Sequence, residues 1–313
     1  MSDPHSGAAP VVPPARPITP VATPAVVSPS TGAAMATCAY VLWGFLPLYF
    51  AATRHIPPTE LLAHRVIWAV PFAIGIMAVQ GRLNELPMLL ANRKVVLMMA
   101  VSAALIAANW GVYIYAVSIN LASQAALGYY FTPLIVVLMG GLWLGERLTP
   151  LQLAAVLLAA AAVAYRTVAG GEFPFIGLFL AVSFAFYGYI RKTQPVGPTQ
   201  GFLLEVTLLL PFALAFVAWL AWQGSGHVFT SVEDTLWLMG CGPVTAVPLI
   251  LYAFGAKALR FTTVGLMGYI GPTLIFIVAF TLLGEELTTV QIITFALVWF
   301  ALAIYSVGLI RKA

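Results

Sequence analysis

Few side chains in this sequence could do chemistry, and the most telling are two charges set inside long apolar runs. Arg65 closes the stretch Glu60-Leu-Leu-Ala-His-Arg65, and Glu205 stands within Phe202-Leu-Leu-Glu-Val-Thr-Leu-Leu-Leu210. Burying such a charge in hydrocarbon costs about 2.5–3.5 kcal/mol on insertion scales, so each needs a physical reason. An arginine facing a cavity offers a planar fork of donors suited to a carboxylate or another anionic group. Alternatively, its long stem can lift the charge to the headgroups. Glutamate is too short for that escape, so Glu205 is a candidate for proton coupling or cation recognition, against a plain hydrogen bond to a neighbouring helix. His64 points about 100° away from Arg65 on a helix and is expected to be a packed, hydrogen-bonded imidazole.

Neutral polar and aromatic residues add weaker candidates. Asn109, beside Trp110, must find a partner in an apolar helix, and helix-to-helix bonding is the simpler role. Trp43, Tyr129, Tyr187 and Tyr269 fall near the middle of their apolar runs, away from the interfaces where such rings collect. They could line a cavity with apolar faces and phenolic donors, or serve as core packing. Pro133 and Pro272 each follow a Gly-Tyr pair near mid-run, where a proline leaves a carbonyl unbonded and bends or breaks the helix. The candidate substrate-binding set is therefore Arg65, Glu205, Trp43, Asn109, Tyr129, Tyr187 and Tyr269, with Pro133 and Pro272 as helix breaks.

Catalytic constellations are missing from the sequence. Ser225 and His227 are nearly adjacent, with no strand-turn-helix context to frame a nucleophile. Glu60 and His64 are a helix-spaced pair without a third metal ligand. No Walker-type loop, cofactor motif or zinc motif is present, and Cys38 and Cys241 are the only cysteines. No cofactor and no metal are expected, and an enzyme is not the favoured reading.

The elements that position these residues follow from composition. Of 313 residues, 62% are hydrophobic and 8% charged, with mean hydropathy +0.99. A soluble surface cannot be built from so few charges, so the lipid bilayer is the solvent. The basic residues form no run or stripe, which argues against a nucleic-acid partner. Residues 1–31 carry prolines at 4, 10, 13, 14, 17, 20, 24 and 29 and read as a disordered cytoplasmic tail. Ten continuous apolar stretches follow, at 32–51, 61–80, 95–116, 121–143, 150–168, 173–190, 199–222, 235–256, 262–283 and 289–310. Their length and lack of alternation predict helices rather than barrel strands. Alternate loops hold eleven of the fourteen Lys and Arg residues, which predicts that both termini are cytoplasmic.

The two halves also resemble each other. Pro58-Thr59 and Pro71 recur as Pro198-Thr199 and Pro211, and Gly128-Tyr129, Pro133, Gly145-Glu146, Thr149 and Gln152 recur in order as Gly268-Tyr269, Pro272, Gly284-Glu285, Thr288 and Gln291. Arg65 and Glu205 each lie seven residues beyond the matched proline. An odd number of spans per half forces the halves to insert in opposite senses. The predicted fold is an all-α integral membrane protein of ten transmembrane helices in two inverted five-helix repeats, 32–170 and 171–313, which is the architecture of secondary carriers. Inversion puts Arg65 in the outer third and Glu205 in the inner third, too far apart for a direct ion pair. The Gly-Glu recurrence is read as a turn and helix-start device. The fifth and tenth spans, nearly devoid of polar groups, could face lipid or a second copy in a homodimer.

The stretches Tyr40-Val-Leu-Trp-Gly-Phe-Leu-Pro-Leu-Tyr49, Glu60-Leu-Leu-Ala-His-Arg-Val-Ile-Trp68, Ser183-Phe-Ala-Phe-Tyr-Gly-Tyr-Ile-Arg-Lys192 and Gly268-Tyr-Ile-Gly-Pro-Thr273 resemble the RarD branch of the EamA family. The resemblance covers residues 35–312 and leaves the proline-rich tail outside it. It implies a drug/metabolite transporter fold in the bacterial inner membrane, acting as a permease or exporter of a small organic metabolite or drug-like compound. A membrane-embedded lipid-modifying enzyme or a non-transporting scaffold or scramblase is the alternative from another class.

Overall fold

A backbone buried in lipid must satisfy its own amides and carbonyls, and in this chain continuous apolar runs do so as helices. The computed structural model describes residues 27–118, 122–170, 175–282 and 289–310, and no strand occurs among them. The helices are α1 (Pro29–Ala52), α2 (Pro58–Val79), α3 (Leu86–Ala91), α4 (Arg93–Ser118), α5 (Ala122–Trp143), α6 (Pro150–Gly170), α7 (Phe175–Thr193), α8 (Pro198–Trp222), α9 (Val232–Ala258), α10 (Phe261–Met267), α11 (Ile270–Thr281) and α12 (Thr289–Ile310). Seven of them, α1, α2, α4, α6, α7, α8 and α9, are long and apolar enough to cross a membrane. Three further apolar helical stretches are shorter, Tyr129–Trp143, Phe261–Ile275 and Ile292–Tyr305. The chain is thus an all-helical, multi-pass membrane protein.

Local sequence sets the ends. α1, α2, α6 and α8 all begin on a proline, whose missing N–H costs nothing in a first turn. At α6, Gly145 takes φ +63° in the preceding turn, and Thr149 and Gln152 bond each other's backbone amides reciprocally at 3.0 and 3.2 Å, a capping box. The repeated glycine and threonine are therefore a turn and helix-start device in the first half, while Gly284, Glu285 and Thr288 lie outside the described residues.

Three features differ from the sequence expectation. The tail ends earlier than residue 31, because Ser28 accepts from the Thr31 amide at 3.2 Å and caps a helix whose first residue is Pro29. Of the remaining tail, residues 1–26 lie outside the described residues. A 3-10 turn at Leu83–Glu85 and the short α3 fill what looked like a plain loop. The ninth span is two helices, with Gly268 and Tyr269 in a turn between α10 and α11, whereas α5 runs unbroken through Pro133.

The packing partners recur in matched sets. α1 lies against α9 and α11, and α7 against α4 and α5; α2 meets α9, and α8 meets α4. Three further pairs are α2 with α8, α5 with α10, and α6 with α12. The small residues Ala155, Ala159 and Ala162 of α6 bury against Val298 and Ala301 of α12, so these faces cover each other. The end of the bundle where α1 begins is called basal below, and the opposite end distal. Gly32 meets Ala258 at the basal end, while His55 meets Asp234 at the distal end.

Candidate functional site

Arg65 occupies the distal half of α2, about 10 Å from that helix's first residue at 1.5 Å per residue. Its Nε donates to Thr245 Oγ1 of α9 at 2.8 Å, and its guanidinium carbon sits 4.4 Å from the centroid of the Trp110 ring on α4. That placement depends on a close approach of α2 and α9. A β-carbon at Gly242 would come within 2.5 Å of the Trp68 carbonyl oxygen, so only glycine lets Thr245, one turn further along, reach the arginine. Prolines at 243 and 248 bracket this part of α9. Tyr49, Tyr113, Tyr129 and Cys241 lie in the wider neighbourhood of the guanidinium. Tyr113 and Tyr129 meet edge to face at 6.3 Å, and Tyr129 keeps 43% of its surface exposed. No carboxylate forms an ion pair with Arg65 among the described residues. Thr245 and Trp110, far apart in the sequence, therefore hold one cation between them.

Glu205 forms a separate centre in the basal half. It is buried and accepts from Ser102 Oγ of α4 and, at 3.4 Å, from the Tyr187 hydroxyl of α7. Arg191 Nη1 lies 3.5 Å from its Oε1, and Arg191 is itself wholly buried, donating from Nη2 to the Pro198 carbonyl at 2.6 Å. Nε and Nη1 of Arg191 and both side-chain polar atoms of Gln194 are buried without a hydrogen-bond partner. Trp43 and Tyr187 come together beside this centre. Trp43 packs on Tyr40, Phe184 and Tyr252 at 5.6, 5.7 and 5.6 Å, and Tyr187 stacks on Tyr252 at 6.4 Å.

Other candidates lie at helix contacts. Asn109 spends its amide on α7, donating to the Leu180 carbonyl at 2.8 Å and to Ser183 Oγ at 2.9 Å. His64 is buried as expected, but the structure corrects the expectation of a hydrogen-bonded imidazole, since both of its ring nitrogens are buried without a hydrogen-bond partner among the described residues. Tyr269 is buried in the α5, α6 and α12 cluster and donates to the Tyr130 carbonyl at 3.3 Å. Pro272 stands in the first turn of α11, where its missing amide is harmless, while Pro133 packs its ring on Gly268 at the crossing of α5 with the α10–α11 turn. Basal to that crossing α5 and α10 are tightly apposed, since a β-carbon at Gly265 would strike Val136 Cγ1 at 2.6 Å. Distal to it, α11 contacts α5 only slightly.

A model of the EamA-like transporter family matches residues 30–167. An uncharacterized transporter of Pseudomonas aeruginosa is 39% identical over 88% of this chain and 93% of its own length. The protein RarD of Escherichia coli is 38% identical over 88% of this chain and 93% of its length, and the uncharacterized transporter YojE of Bacillus subtilis is 34% identical over 87% and 92%. The chain belongs to the RarD branch of the EamA family. A crystal structure at 19% identity shares the fold, with a TM-score of 0.68 over 90% of this chain and 98% of the other.

This EamA protein is a membrane transporter of the drug/metabolite type. The candidate-site residues that sequence reasoning missed are those whose partners only the fold brings near. Arg191 ends α7 and reads as an ordinary loop-side cation, yet it pairs with Glu205. Thr245 carries no charge, and its only signal was the Pro243 and Pro248 bracket. Glu146 reaches across to the start of α10, where its oxygens accept from the Phe261 and Thr262 amides at 2.6 and 2.8 Å. Glu60, buried in α2, accepts from the His227 amide at 2.6 Å and bonds its ring Nδ1 at 2.7 Å, so the histidine serves Glu60 rather than Ser225.

Proposed function

We propose that this protein is a secondary carrier that moves a small organic metabolite outward across the bacterial inner membrane by alternating access. In this reading the ten spans are two inverted five-helix repeats, the basal end is cytoplasmic, and the cargo site lies where Arg65, Trp110, Tyr113 and Tyr129 of the first half meet Thr245 of the second. The observation that carries it is the asymmetric contact between α5 and the broken ninth span, tight against α10 at one end and, among the described residues, only slight against α11 at the other. Such a site faces one compartment at a time. The matched sets of helix contacts support the inverted arrangement, since exchanging the halves maps α1 with α9 and α11 onto α7 with α4 and α5, and α2 with α9 onto α8 with α4. The buried Glu205 and Arg191 pair is the element that couples transport to a proton, and the outward direction follows the family resemblance.

The test is counterflow of labelled amino acids, nucleosides, organic acids and organic cations in proteoliposomes holding wild type or Glu205→Gln. Saturable exchange of one class is expected in wild type, with reduced flux in the variant. Silence from every class in monodisperse wild type refutes the carrier.

A further inference from the structure

We propose that the cargo at Arg65 is a carboxylate carried on a flat, apolar body. This deepens the carrier reading and rests on it for transport, though not for binding.

The charge balance of the molecule points to an anion. Among the described residues the other buried or half-buried carboxylates are already engaged. Glu60 is held by His227, Glu85 by Arg82 and Gln200, Glu146 by the α10 amides, Glu205 by Arg191, and Asp234 by His55. Glu233 is exposed at the distal end. Arg65 therefore keeps a full positive charge within an apolar helix, with only Nε bonded to protein and that to a neutral hydroxyl. Its two terminal nitrogens make no hydrogen bond among the described residues, nor are they among the atoms sealed from solvent. They are the donors of the guanidinium fork, and a carboxylate accepts two parallel bonds from that geometry. An amine would meet like charge, and a neutral amide would leave the arginine unneutralised.

The body of the cargo follows from the walls. Trp110 covers one face of the guanidinium, and Tyr113 and Tyr129 stand edge to face beside it. Rings in this arrangement offer an apolar face to another planar group, while their hydroxyls can bond the anion. Thr245 fixes the fork in place, so the donors are oriented before the cargo arrives.

The decisive experiment compares phenylacetate with phenylacetamide and phenethylamine, which keep the ring and change the charge, and with acetate, which keeps the charge and removes the ring. Binding to detergent-purified protein is read by melting shift and by tryptophan fluorescence, with Trp110→Phe identifying the reporting ring. Phenylacetate should bind; the amide and the amine should bind about ten-fold more weakly or not at all because they lack the anion that the fork pairs with, and acetate about ten-fold more weakly because it lacks the ring that packs on the aromatic wall. Arg65→Lys should weaken phenylacetate and Arg65→Gln should abolish its binding. Equal binding of the amide or the amine, indifference to Arg65→Gln, or no carboxylate binding to monodisperse wild type would overturn the assignment. Counterflow separates the two readings. If phenylacetate binds through Arg65 but nothing exchanges, the site stands and the carrier fails; if neutral or cationic compounds exchange and carboxylates do not bind, the carrier stands and this proposal fails.

Discussion

In this conformation Arg191 and Glu205 are wrapped so completely that neither charge reaches water, and that makes the pair costly to break and cheap to replace. Arg191→Met alone should destabilise the protein by about 3–5 kcal/mol, because it strands a buried carboxylate. The double variant Arg191→Met with Glu205→Gln should recover most of that stability, read as the denaturation midpoint in detergent, while flux stays low. Recovery of flux in the double variant would reduce the pair to a packing device. Arg65 and Glu205 were legible in the sequence because each interrupts an apolar run, and an interrupted run is a local signal. Arg191 was not, because it sits where any helix end places a cation and only the fold turns it inward. Tyr129 and Tyr269 looked equivalent as repeat mates, yet one keeps 43% of its surface and the other is buried.

Among the elements, α10 depends on a partner from the other half. A seven-residue helix has too few internal hydrogen bonds to hold its own first turn, and the Glu146 carboxylate supplies acceptors for two of its orphan amides. Glu146→Ala should cost about 1–3 kcal/mol and speed modification of a cysteine placed at Thr262, as the basal end loosens. The 3-10 turn offers a pH test. Arg82, hydrogen-bonded to Glu85 at 2.7 Å, and then Gln200, hold this carboxyl below the usual glutamate range against the opposing effect of partial burial. A depressed folded value means its stabilising contribution is present at neutral pH and fades as pH falls through that value. Glu85→Gln should therefore melt lower than wild type at pH 7, with the gap closing in acid. The helices themselves were legible because apolar length is a coarse and robust signal. The split of the ninth span was not, since Gly-Tyr followed by proline occurs in α5 as well and only there does the helix continue.

Across the whole molecule, the basal closure between α5 and α10 can be locked chemically. A β-carbon at Gly140 would approach Thr262 Cγ2 at 2.8 Å, so Gly140→Cys with Thr262→Cys in a background lacking Cys38 and Cys241 should form a disulfide. Oxidation should abolish exchange and reduction restore it; undiminished exchange in the crosslinked protein would show that this contact never opens. At the distal end His55 with Asp234 and His227 with Glu60 tie the α1–α2 and α8–α9 connections together, so in the proposed carrier any distal opening falls on the α5 and α11 side. In the proposed carrier cycle, the carboxylate of Glu146 sets the resting state. Whenever the basal end opens, two amides lose their anion, and a difference of about 2 kcal/mol shifts a two-state balance by about thirty-fold. The unloaded molecule should thus wait with its mouth toward the distal compartment, and the slow stroke of each cycle would be the empty return.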